Sequence, residues 1–232
     1  MFSILFAAVF AATPSVTESD TTAFETPVAA TAAALTSEAQ TGTLIFSEGD
    51  CLAVRVYSGS PYTHVAAIVV DDGEPIVYDS MNGAGVRRQS LTAYIESQRP
   101  DVIHVMHPQR EFSKKRSQLF RAHLVDQLGR PYAVKHHLTG KRADGVHCAE
   151  YVTDALQACR LIQAKQPPRV SPASLAKGIL QANLYLPPQA IEFTAAVTET
   201  PRSDTWWKQI WVDTKQCTLA CCSKMRGWFL CK

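Results

Sequence analysis

An excess of charge of either sign is the first thing this chain lacks. Its 23 Lys and Arg against 21 Asp and Glu leave a formal net charge of +2. Nothing in that balance argues for nucleic acid as the main partner. A run able to cross a bilayer is also missing from the start. Met1 to Ala12 is almost wholly apolar but too short to span. It carries no Lys or Arg, which the first region of a secretory leader normally has, so a poor signal peptide and a misassigned start both stay open. Evenly spread cysteine is the third absence. Cys51, Cys148 and Cys159 lie in the body, while Cys217, Cys221, Cys222 and Cys231 crowd the end. That pattern excludes a small disulfide scaffold and leaves the redox compartment undecided. Tryptophan, finally, is absent before Trp206.

Composition then divides the chain into three parts. Residues 1–42 are an Ala/Thr/Ser-rich lead-in with scattered acids, expected to be low-complexity and disordered. Residues 43–186 read as one folded domain. Residues 187–232 form a tail that holds all four tryptophans, four cysteines and, after Asp213, no acid. Indole rings beside cations suit the headgroup level of a membrane, with Cys221 and Cys222 as candidate acylation positions. A helix packing its tryptophans on the body fits the tail as well.

Within the body, strands are predicted at Thr43–Phe46, Asp50–Val56, His64–Val70, Ile76–Ser80, Val86–Ser90 and Val102–Met106. Asp71 to Pro75 marks a turn between the third and fourth of these. A short helix is predicted over Leu91–Gln98. An amphipathic one follows over Phe112–Leu128, with Phe120, Leu124, Val125 and Leu128 on one face and Gly129 and Pro131 as its stop. Its Lys114, Lys115, Arg116 and Arg121 are expected to be mostly solvated. Ser171-Pro172 opens a last helix with a cap and a first-position proline. This order suits an α+β domain, an antiparallel sheet with helices packed on it.

Chemistry concentrates at Asp144-Gly145-Val146-His147-Cys148-Ala149-Glu150. A glycine turn runs into a helix whose buried stripe is Val152, Ala155, Leu156 and Cys159. Cys148 therefore stands at a helix N-terminus, where orphan N–H groups and the dipole favour thiolate over thiol. A small buried side chain would fit the same place. A thiolate nucleophile needs a base, and the base needs an orienting partner. Of seven histidines, His64 opens a strand directly after a loop, at the rim of the sheet. Asp79 on the next strand is then its near-diagonal neighbour, with Asn82 as the alternative orienter. His104 and His107 flank a strand end and His123 lies on a helix. His136, His137, His147 and Cys148 invite a zinc site, but their spacing matches no common finger pattern. No metal and no cofactor is expected.

Assembled in this order, the body resembles the permuted NlpC/P60 or papain-like hydrolases, most closely the YiiX/YebB-type group. Gly49-Asp50 and Thr63 to Val69 are similar to the opening and the histidine strand of that family. Val77-Tyr78-Asp79-Ser80 with Gly85-Val86 resembles its acidic strand and turn, and Gly129-Arg130-Pro131-Tyr132 the segment ahead of the nucleophile. Val146 to Val152 resembles the nucleophile helix, and Ser171 to Leu175 the helix after it. The histidine precedes the cysteine, the mark of circular permutation. The resemblance implies a cysteine hydrolase of amide, peptide or acyl bonds, with Cys148 as nucleophile, His64 as base and Asp79 as the third polar residue. The chain departs from the pattern in having Asp79 where glutamate is usual, Ala133 where an acid is common and Ala149 where serine often stands.

The expected partner is a peptide, amide or acyl-bearing substrate, with the basic stretch Arg130–Arg142 as a receiver for an acidic one. Two other functions fit the same residues: a thiol acyltransferase working on lipid or amine acceptors, and a catalytically degenerate binding module held at a membrane by its tail. The expected location is the cell envelope or a membrane surface, with the cytoplasm as the alternative.

Overall fold

The computed structural model describes residues 27–48, 60–98, 102–134, 139–142 and 144–192. In chain order the elements are α1 (Pro27–Glu38), β1 (Leu44–Glu48), β2 (Tyr62–Asp71), β3 (Glu74–Met81), β4 (Gly85–Ser90), α2 (Leu91–Gln98), β5 (Val102–Met106), α3 (Lys114–Asp126), α4 (Cys148–Ala158), a 3₁₀ turn (Pro167–Arg169), α5 (Pro172–Gln181) and β6 (Gln189–Glu192). The six strands form one antiparallel sheet in the order β4-β3-β2-β1-β5-β6. The class is α+β.

Both faces of the sheet are covered, which explains why β2 reads as an unbroken apolar run rather than an alternation. Val65, Ala67 and Val69 point to one face, where Leu44, Phe46, Tyr78 and Met106 meet α4 and α5. Ala66 and Ile68 point to the other, where Ile45, Val77, Ile103 and Val105 meet α1 and α2. The first helix is a departure from expectation. Lead-in composition predicts disorder, yet Pro27–Glu38 is helical and buries Ala32 and Leu35 beside Tyr94 and Ile95 of α2. Alanine is the best helix former, and two apolar residues three apart suffice to anchor it. The predicted boundary at 186 is likewise crossed, because β6 pairs with β5 from Val102–Glu192 to Val105–Gln189. The strand predicted at Asp50–Val56 and the tail from residue 193 onward lie outside the described residues. No helix among the described residues is long and apolar enough to cross a membrane.

Three details of the sheet position the site. The β2–β3 hairpin turns on Asp72 and Gly73, both at positive φ (48° and 87°), between the pair Asp71–Glu74. Such a two-residue turn follows the right-handed twist of its strands. The β2–β3 ladder ends at Ala67–Tyr78. Beyond that point β2 goes on pairing with β1 through Ser47–His64, and β3 with β4 as far as Met81–Gly85. The sheet is therefore split between β2 and β3 over its last residues. Helix α4 packs on these two strands.

Candidate active site

The segment that leads into α4 is held by the strand on one side of the split. Ser80 on β3 donates its hydroxyl to the carbonyl of Val146 at 2.7 Å, both groups buried. The chain just after α3 closes the other side. Val86 N–H donates to Arg130 O at 2.8 Å, Gly129 N–H to Val86 O at 2.9 Å, and Val146 N–H to Pro131 O at 2.9 Å. The approach is tight enough to require glycine. A Cβ on Gly85, which sits at φ 71°, would collide with the carbonyl of Arg130. One on Gly145 would meet Ala133 Cβ at 2.5 Å. Gly129-Arg130-Pro131-Tyr132 is thus a spacer between β4 and the residues before Cys148.

Cys148 is the first residue of α4 and is buried, as are His64, Asp79 and His147. His64 Nε2 and Asp79 Oδ2 are 3.1 Å apart. Continuing the register of the closed half of the hairpin places Asp79 opposite Ala66, two residues along from His64, so the pair is diagonal. It bridges the split where backbone pairing has stopped. With Nε2 engaged by Asp79, Nδ1 is the nitrogen of the imidazole left for another partner, and Cys148 is close enough to His64 and His147 for their charges to act on one another. The ring of His64 also stacks on Tyr94 of α2, with centroids 6.4 Å apart.

The electrostatics follow from these contacts. Burial pushes the Cys148 thiol up, but the nearby imidazoles of His64 and then His147 outweigh it and bring the group down to about 6. For His64, burial works against the charged form. The Cys148 thiolate and the Asp79 carboxylate reverse that and raise it to about 10. Asp79 is pushed up by burial and pulled lower overall by His64 and then Arg87. The directions of these shifts, Cys148 and Asp79 down and His64 up, all favour a thiolate–imidazolium pair with a carboxylate behind it.

Two partners were not given their observed roles by the sequence reading, which left Arg87 unmentioned and weighed His147 only for a zinc site. Arg87 lies directly opposite Asp79 on β4; its Nε donates to Oδ1 at 2.9 Å and one terminal nitrogen to Oδ2 at 3.3 Å. Counting back from the Gly83–Gly85 turn could have found it. His147 is the N-cap of α4. Its Nε2 donates to Pro168 O at 2.9 Å, which leaves Nδ1 to accept from Glu150 N–H at 3.3 Å. A histidine is not among the usual caps, so composition alone gave no signal for it.

Comparison with known proteins adds little to this geometry. No family model matches the chain, and no curated protein sequence matches it. Among solved structures, it is similar to the metalloprotein YiiX of Escherichia coli O157:H7, at 20% identity and a TM-score of 0.46, over 72% of this chain and 98% of that one. That is a distant structural likeness.

The remaining candidates fall elsewhere. Asn82 is exposed in the β3–β4 turn, and the carboxylate facing His64 is that of Asp79. His104 Nε2 meets Glu48 Oε1 at 2.7 Å, and His107 Nδ1 meets Thr43 Oγ1 at 3.0 Å. His136 and His137 lie outside the described residues, and among those described no three His, Cys, Asp or Glu are grouped to hold a metal ion. Within the basic stretch, the two described arginines are tied down. Arg130 donates to Asp144 O and Gly145 O at 2.6 and 3.2 Å, and Arg142 grips both oxygens of Asp154 at 2.6 and 2.7 Å. Of the cations expected to be solvated on α3, Arg116 reaches Cys159 O at 3.3 Å and lies over the Phe112 ring, while Arg121 grips both oxygens of Asp71.

Proposed function

We propose that this chain is a cysteine hydrolase of the permuted NlpC/P60, papain-like kind, cleaving an amide, peptide or acyl bond through a thioester. The observation that carries the reading is the buried His64–Asp79 pair at 3.1 Å together with a buried Cys148 as first residue of α4, residues far apart in sequence whose charges act on one another. The strand order, histidine then acid then cysteine helix, supports the permuted family.

In this reading the Cys148 thiolate attacks the substrate carbonyl carbon and forms a C–S bond. The oxyanion is taken up at the first turn of α4 by the N–H groups of Cys148 and Ala149, that of Glu150 being given to His147. His64 gives its Nδ1 proton to the leaving nitrogen or oxygen as the C–N or C–O bond breaks. It then takes a proton from water, whose hydroxide displaces the thiolate and releases the acid. Asp79 keeps the ring turned so that Nδ1 stays on the sulfur. Arg130 and Arg142 are engaged internally and give no support to a receiver for acidic substrates.

The test is covalent. The full chain is mixed with p-nitrophenyl acetate, quenched in acid and mapped by peptide mass spectrometry. A hydroxylamine-labile acetyl group on Cys148, absent in His64→Ala, is the expected result. No adduct on Cys148, together with iodoacetamide labelling no faster than at Cys51 and indifferent to His64, returns the chain to a binding module. An acetyl group passed to an added amine in preference to water assigns it to the acyltransferases.

A further inference from the structure

We infer that Arg87 is a positioning residue of this site: it sets the orientation and charge of Asp79, and through it the imidazole of His64. The inference rests on the hydrolase reading and names a group that reading does not need.

The argument begins with an imbalance. Asp79 is 1% exposed, and an isolated carboxylate at such a place tends to protonate. A neutral Asp79 could not stabilise an imidazolium. His64 alone reaches one of its oxygens, Oδ2. Arg87 supplies the rest, with Nε on Oδ1 and a terminal nitrogen on Oδ2. A guanidinium holds a carboxylate by two parallel bonds, fixing the plane as well as the charge. That plane decides where the remaining lone pair of Oδ2 points, and it points at Nε2 of His64.

The placement is not an accident of a flexible surface arginine. Asp79 and Arg87 are directly opposite in the β3–β4 ladder, and the same terminal nitrogen of Arg87 is 3.5 Å from Ser97 Oγ on α2. Asp79 stands at the split, where β2 offers it no backbone pairing, so β4 is the rigid neighbour left to hold it. The titratable groups facing the pair are His64 across the split, Cys148 and Tyr151 on α4, and Tyr94 on α2.

The experiment compares wild type, Arg87→Ala and Arg87→Lys as full chains. Readouts are the pH dependence of Cys148 labelling by iodoacetamide, the acylation rate with p-nitrophenyl acetate, and the melting temperature. Removing a cation and loosening the imidazolium both disfavour the thiolate. In Arg87→Ala the acid limb of labelling therefore moves to higher pH by about half a unit or more, and added guanidinium chloride at millimolar levels moves it back. Arg87→Lys keeps the charge but cannot span both oxygens. Its limb stays near that of wild type while acylation slows several-fold. A lower melting temperature with the limb unmoved makes Arg87 only a tie between β3 and β4 and overturns the inference. If Arg87→Ala does not fold, Arg87→Lys decides alone: acylation equal to wild type overturns the inference. Wild-type labelling of Cys148 that is slow and independent of His64 would instead sink the hydrolase reading itself.

Discussion

The two ends of the β2–β3 hairpin are built by different means. At the turn, backbone does the work: five pairs run from Asp71–Glu74 to Ala67–Tyr78, closed by two residues at positive φ. At the other end the ladder is gone, and side chains join what backbone does not. His64 meets Asp79 across the gap, and Ser80 reaches the carbonyl ahead of the nucleophile. The comparison teaches where chemistry finds room in a buried sheet. A fully paired strand leaves no space for a helix terminus between its neighbours. A strand pair that parts by a few residues frees its side chains to meet a helix terminus packed on it while holding them on rigid backbone.

The largest way to break the open end is His64→Ala. Acid–base assistance contributes about 10²- to 10⁴-fold, so hydrolysis of a p-nitrophenyl ester falls by that order. A pH series sharpens the same point. Below about 6 the thiolate of Cys148 takes up a proton, and above about 10 the imidazolium of His64 gives one up. Activity should rise through the first value and fall through the second. In His64→Ala the rise belongs to a thiol without its cation and moves to higher pH. A rise that stays put would mean that the helix terminus, and not the imidazole, holds the charge.

Next in size is Ser80→Ala. It leaves the buried carbonyl of Val146 without its hydroxyl donor, a loss of about 1–3 kcal/mol. Because that carbonyl precedes Cys148 by two residues, stability and acylation should both fall, as read by urea unfolding and by burst amplitude. An effect on stability alone would show that the cysteine helix is placed by the Arg130–Pro131 spacer without help from β3.

How far these two ends were legible in the sequence follows from the same difference. The turn was readable, because Asp-Gly between apolar strands has a local cause, and so were α2, α5, the stripe on α4 and α3, except that Val125, expected on the apolar face of α3, is exposed. The diagonal from His64 to Asp79 could be counted once the turn was placed. What could not be counted is where the ladder stops, since that depends on a helix arriving from some seventy residues away. Arg87 was within reach of the same counting from the Gly83–Gly85 turn, but a basic residue on a short strand looks like a solvated edge. The buried polar side of α4 was hidden for a related reason. Glu150, Thr153 and Asp154 are buried along with the apolar stripe, and Arg142 from the preceding loop pairs with Glu150 and Asp154. Helix α1 was misread because alanine-rich composition is shared by disordered and helical segments, and only the surface of α2 decides between them.

The smallest effect belongs to the turn, and it completes the comparison. Gly73 sits at φ 87° with no atom within 4 Å of where a Cβ would go. Gly73→Ala therefore adds no collision and costs only the strain of an L-residue in the left-handed region, about 1 kcal/mol. The loss should appear as a modest drop in urea midpoint with an unchanged slope. Labelling of Cys148 and its pH dependence should match wild type, because the strain falls on the paired half and five ladder steps separate it from His64. If the labelling profile shifts along with the midpoint, the two ends are not independent. The split would then be a consequence of how tightly the turn is wound, and the geometry of the site would be set from the far end of the hairpin.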